Sequence, residues 1–144
     1  MAVHLIKLVV GVDDLDQFLE IQKNSIVDYN GEPANAVRTR YKPKREAEVL
    51  DGGSLYRVIK NKICCRQKIL GFETIESSDK GTQTLIMVEP TIIQTISTPK
   101  RPFQGWRYFE SAAVPRDRGV YLGDNQRGEI PEDMEKDLKE MGLL

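Results

Sequence analysis

Between residues 54 and 97 the chain is almost entirely strand-forming sequence, and this stretch limits the fold more than any other feature. Four runs rich in β-branched and aromatic residues, 54–60, 62–76, 82–88 and 91–97, are separated only by Asn61, by Ser77-Ser78-Asp79-Lys80-Gly81 and by Glu89-Pro90. Connections this short join antiparallel neighbours, because a parallel crossover needs about a dozen residues or more. The expected product is an antiparallel meander. Ahead of it, residues 3–10 are β-branched and nearly all apolar up to Gly11, which predicts a buried, central strand. Asp14 and Gln17 have the spacing of a capping box, and Leu15, Phe18, Leu19, Gln22 and Ile26 keep helical period to about Tyr29. After the break at Asn30-Gly31-Glu32-Pro33, residues 37–42 read as a strand with Arg38, Arg40 and Lys42 on one face. Pro43 then opens a two-turn helix that Gly52-Gly53 stops. A terminal helix is expected over residues 131–141, and 114–128 reads as a polar, mobile connection. Together these predict one α+β domain over residues 1–144, with a small curved antiparallel sheet or β-barrel and two to three flanking helices.

With 40% hydrophobic and 30% charged residues the composition is that of a folded globular chain. The apolar run at residues 3–10 is far too short to cross a bilayer, so no membrane association is expected. Cys64 and Cys65 are adjacent, and successive side chains of a strand point to opposite faces, so a disulfide framework is excluded and a reducing cytoplasm is the expected setting. The single histidine, His4, excludes a site with several His ligands; no metal and no cofactor are expected. It shares a strand face with Ile6, Leu8 and Val10, which suits a hydrogen-bonded strand histidine. Gly52-Gly53-Ser54-Leu55-Tyr56 has part of a hydrolase nucleophile elbow, but Tyr56 replaces the second glycine and no histidine follows to serve as base.

Charge is more informative in its layout than in its sum of -1. Residues 38–68 carry ten basic side chains against Glu46, Glu48 and Asp51, whereas residues 1–37 and 124–144 are acidic. A second basic segment, Lys100-Arg101-Pro102-Phe103-Gln104-Gly105-Trp106-Arg107-Tyr108, packs three cations, three aromatics and an amide around one glycine. Aromatic faces stack bases, Arg and Lys hold phosphates, and Gln reads base edges, so these segments together suit RNA or a nucleotide-like ligand. The expected site is a cleft between 40–60 and 101–108. Arg40, Lys44, Arg45, Lys60 and Arg107 are the candidate phosphate contacts; Trp106, Tyr56 or Tyr108 would stack, and Gln104 or Gln67 would read base edges. Ser54, Arg66, Arg101 and Phe103 complete the candidate set.

Several motifs carry a family resemblance: Val3-His4-Leu5-Ile6-Lys7-Leu8, Thr39-Arg40 with Pro43-Lys44-Arg45, Asp51-Gly52-Gly53-Ser54-Leu55-Tyr56, Val58-Ile59-Lys60, Arg66-Gln67, and Arg101 to Tyr108 without a gap. In this order they resemble, over residues 2–144, the alphaproteobacterial family known as domain of unknown function 1489. Two positions depart from the pattern: Arg57 stands where the resemblance implies a tryptophan, and Asn61 where it implies a glycine. In arrangement alone, a short basic helix leading through glycines into a strand is similar to PUA-like domains of the ASCH and EVE type, which implies a small barrel binding RNA or modified bases.

The functional expectation is an RNA- or nucleotide-binding module. Two other classes stand beside it. One is a small enzyme acting on an anionic metabolite through Ser54, Cys64, Cys65, Asp51 or Glu48; the other is an adaptor that docks its acidic C-terminal segment on a protein partner.

Overall fold

The computed structural model describes residues 2–123, so the helix expected over 131–141 lies outside the described residues. The elements run β1 (Val3–Leu8), α1 (Leu15–Lys23), β2 (Val27–Tyr29), β3 (Glu32–Thr39), α2 (Glu46–Leu50), β4 (Ser54–Ile59), β5 (Lys62–Ser77), β6 (Gly81–Val88), β7 (Ile93–Pro99), β8 (Trp106–Glu110) and β9 (Asp117–Val120). A single 3₁₀ turn, Ser111–Ala113, separates β8 from β9. β9 thus falls within the stretch read as a connection.

The α+β class and the meander are present: β4, β5 and β6 are consecutive antiparallel neighbours, and β7 adds antiparallel to the first half of β5. Two expectations need correction. The sheet is mixed, because β1 pairs parallel with β4 while pairing antiparallel with β8. It is also open, in the order β2-β3-β6-β5-β4-β1-β8 with β7 and β9 branching from β5, so the expected barrel closure is not formed among the described residues. The cause is the placing of β1. Residues 9–53, including both helices, supply the long connection that a parallel pair requires.

Asp14 caps α1 as expected, accepting the Gln17 amide N–H at 2.9 Å. The helix nevertheless stops at Lys23 rather than near Tyr29. Asn24 caps it, and the chain turns back through Asn30 and Gly31, both at positive φ, into a two-residue hairpin joining β2 to β3. β3 pairs with β2 and β6 and ends at Thr39, where its last partner is Thr84, so Arg40 and Lys42 lie beyond it rather than on a strand face with Arg38.

Alternation along β1 and β4 divides the core between two faces. Leu5 and Leu55 are register partners, both wholly buried, and pack with Val3, Val37, Val49, Ile86 and Val88 on one face; each such leucine contributes about 2 kcal/mol through burial. The opposite face holds Ile6, Tyr56, Val58 and Ile63. Phe18 of α1 closes a third cluster with Val12, Ile59, Cys65, Ile92 and Tyr121. Among the described residues no helix is long and apolar enough to cross a membrane.

Candidate functional site

The register of β1 against β8 sets Lys7 directly opposite Trp106, with both side chains on the same face of the sheet. The chain leaving β3 passes over this pair, and the Trp106 Nε1–H donates to the Tyr41 carbonyl oxygen at 2.7 Å, fastening that segment to β8. Between them lies a cleft of about 450 Å³ lined by Lys7, Thr39, Arg40, Tyr41, Gln104, Gly105 and Trp106. Gly105 has φ 68, a left-handed conformation that a side-chain-bearing residue rarely adopts, and it turns the chain from Gln104 into β8.

This cleft is cationic without compensation. None of its lining residues is acidic, and among the described residues neither Lys7 nor Arg40 forms an ion pair. Burial, then the neighbouring Arg57 guanidinium, hold the Lys7 ammonium below its ordinary pKa, so a ligand anion there meets a partly desolvated cation. Trp106 has two roles. Its ring packs edge-to-face with Tyr108, the ring centres 5.0 Å apart, against the core, while the indole also forms a wall of the cleft. Tyr41 is 69% exposed, an aromatic surface available to a flat ligand.

Of the fourteen candidate residues, Arg40, Gln104 and Trp106 come together here. Lys44 is exposed nearby, but Arg45 is committed: its guanidinium bonds Glu48 and Glu110, its amide donates to the Tyr108 hydroxyl at 3.0 Å, and it lies 5.3 Å above that ring. Arg101 lines a separate cleft of about 400 Å³ with Asn61, Lys100 and two prolines. Arg107 faces away from Trp106 and covers the Phe103 ring at 4.8 Å, while Lys60 pairs with Asp13 at 3.0 Å. Gln67 is wholly buried and donates to the Glu89 carbonyl oxygen at 3.0 Å.

The remaining candidates, Ser54, Tyr56 and Arg66, meet on the opposite sheet face. Arg66 forks onto Asp117 at 2.9 and 2.7 Å and donates to the Ser54 Oγ at 2.8 Å. Tyr56 is buried edge-on between His4 and Phe109. The Ser54 amide N–H donates to His4 Nδ1 at 2.9 Å, which fixes the tautomer with its hydrogen on Nε2. Nε2 lies 3.4 Å from the Ser111 hydroxyl, which itself donates to the Ala2 carbonyl oxygen. This leaves neither serine facing a free basic nitrogen, so the arrangement positions strands rather than activating a nucleophile. Among the described residues no group of three or more His, Cys, Asp or Glu is placed to hold a metal ion.

Sequence reasoning missed Lys7, Thr39 and Tyr41. Lys7 carried a signal, being the one charged side chain in the apolar run 3–10. A structural class is thereby defined: an open mixed-sheet α+β protein with a cationic, aromatic-walled cleft at the β1–β8 end. By sequence the chain belongs to the family described as Protein of unknown function (DUF1489), whose model matches residues 5–144. Neither the curated proteins nor the solved structures provide a match.

Proposed function

We propose that this protein binds RNA or a nucleotide-like ligand in the cleft bounded by Lys7, Arg40, Tyr41, Gln104 and Trp106. The observation that carries this reading is the combination of two uncompensated cations, two aromatics and one exposed amide around a cavity without a carboxylate. Phosphate would sit between Lys7 and Arg40, a base against Trp106 or Tyr41, and Gln104 within reach of its edge. The free thiols of Cys64 and Cys65 agree with action in the cytoplasm.

Trp106 is the only tryptophan, so its fluorescence reports directly on the cleft. Titration with mononucleotides and short single-stranded RNA at two salt concentrations should give a saturable change that weakens with salt. Arg40→Ala should remove it, and Arg107→Ala, on the other face, should leave it in place. A folded protein whose Trp106 responds to none of these ligands would overturn the reading.

A further inference from the structure

The only two cysteines are consecutive in β5, where a regular strand would send them to opposite faces. The strand is not regular there. Arg57 pairs with Cys65 and Val58 with Ile63, so Cys64 is the extra residue of a β-bulge, and the pairing of β5 with β7 skips the same residue. The bulge brings both sulfurs to one side, 4.0 Å apart, against the cluster around Phe18 and Ile92. Cys65 is wholly buried, whereas Cys64 is partly exposed.

Directly across from Cys65 lies Arg57, only 5% exposed. Its Nε and Nη2 donate to the carbonyl oxygens of Lys7 and Leu8 at 3.2 and 3.0 Å, and its guanidinium lies 5.5 Å from the Phe18 ring centre. Those partners are neutral. Among the described residues this buried cation has no carboxylate, and an unpaired buried charge is costly. The anion that the surrounding residues can supply is a thiolate.

We propose that Cys64 and Cys65 form a redox-modification site for hydroperoxides, in which Cys64 attacks, Cys65 resolves and Arg57 supplies the compensating charge. The Cys64 thiolate attacks the distal peroxide oxygen and breaks the O–O bond; the leaving oxygen takes a proton as water or an alcohol, and Cys64 becomes a sulfenic acid. The Cys65 sulfur then displaces hydroxide from it, and the hydroxide takes the Cys65 thiol proton, giving the Cys64–Cys65 disulfide and a molecule of water. Two electrons and two protons leave the thiols and reduce the peroxide. The electrostatics agree: the hydrogen bond between the two sulfurs, with the Arg57 charge, pulls the Cys64 thiol below its ordinary pKa, whereas the same bond and burial push Cys65 well up.

The test is intact mass and thiol count on the folded full chain exposed to hydrogen peroxide. Expected are a loss of about 2 Da, disappearance of both thiols and full reversal by dithiothreitol. Cys65→Ser should stop at a dimedone-reactive sulfenate on Cys64, and Cys64→Ser should leave Cys65 unreactive. In the unmodified protein, iodoacetamide should alkylate Cys64 first, with a pH midpoint below that of a free thiol. Arg57→Met should slow this alkylation about tenfold at neutral pH. If that variant does not fold, the wild-type pH profile still decides. An ordinary cysteine midpoint, faster reaction of Cys65, or oxidation only to sulfinate or to disulfide-linked dimers would overturn the proposal.

Discussion

Lys7 and Arg57 stand side by side across the parallel strands β1 and β4, and Arg57 donates to the Lys7 carbonyl oxygen at 3.2 Å. Two cations therefore occupy one transverse row of the sheet, which continues to Trp106 beyond Lys7 and to Cys65 beyond Arg57. Like charges in one row oppose folding. Lys7→Met should raise stability by about 0.5 kcal/mol near neutral pH while weakening anion binding in the cleft, a trade between stability and function. Because the folded state lowers the Lys7 pKa, the unfolded chain holds that proton to higher pH. The advantage of the variant should shrink as pH rises toward 10.5, the ordinary lysine value. Urea titrations of both proteins across this range test it, and an advantage that grows with pH would contradict it.

Gly52 and Gly53 should respond differently to alanine. Gly52 has φ 89 but open surroundings, with Ala2 Cβ 4.0 Å from where a Cβ would lie, so Gly52→Ala should cost about 1 kcal/mol of backbone strain. At Gly53 a Cβ would lie 2.3 Å from the Val49 carbonyl oxygen and 2.4 Å from that of Val3. Both are backbone atoms, one of α2 and one of β1, and neither can give way as a flexible side chain would, so Gly53→Ala should cost about 3 kcal/mol. Equal denaturation midpoints for the two variants would refute the distinction.

His4 should make stability fall on mild acidification. Burial, then the Arg66 charge, lower its pKa from 6.5. As pH drops below 6.5 the unfolded chain takes up a proton before the folded one does, and stability declines until pH has passed below the folded-state value. Protonation would also deprive the Ser54 amide N–H of its acceptor, the His4 Nδ1 at 2.9 Å. His4→Asn keeps an acceptor there and should flatten this part of the pH profile; identical profiles for the two proteins would exclude His4 as the origin.

Elements set by local chemistry were legible in the sequence. The apolar run at 3–10 located β1, Asp14 located the start of α1, and the spacing of turn residues located β4, β5 and β6. Asn30-Gly31 was legible too, as the pair best suited to a two-residue hairpin, but the helical period running through Ile26 obscured it. What stayed hidden depends on partners distant in sequence. Period alone does not state that β1 lies parallel to β4, so it does not put Lys7 beside Trp106 or beside Arg57. Nor does it reveal a bulge, which adds one residue to β5 and turns Cys64 toward its neighbour. Arg40, Gln104 and Trp106 were singled out on side-chain chemistry alone, and the fold brings them to one cleft. Ser54, Tyr56 and Gln67 carry the same side-chain chemistry but are spent inside the fold.

The position of β1 also governs the order in which the fold can be completed. It is the first strand in the sequence, yet its neighbours are β4, some fifty residues later, and β8, which pairs Val3 with Glu110. During synthesis an apolar, β-branched segment must therefore wait with both edges unpaired until β4 has been made, and with one edge unpaired until β8 follows. The β4–β5–β6 meander, whose contacts are local, can form in the meantime and present the edge that β1 joins. Pairings so distant in sequence are slow to form, and the exposure of β1 to wrong strand partners is greatest before β4 reaches it.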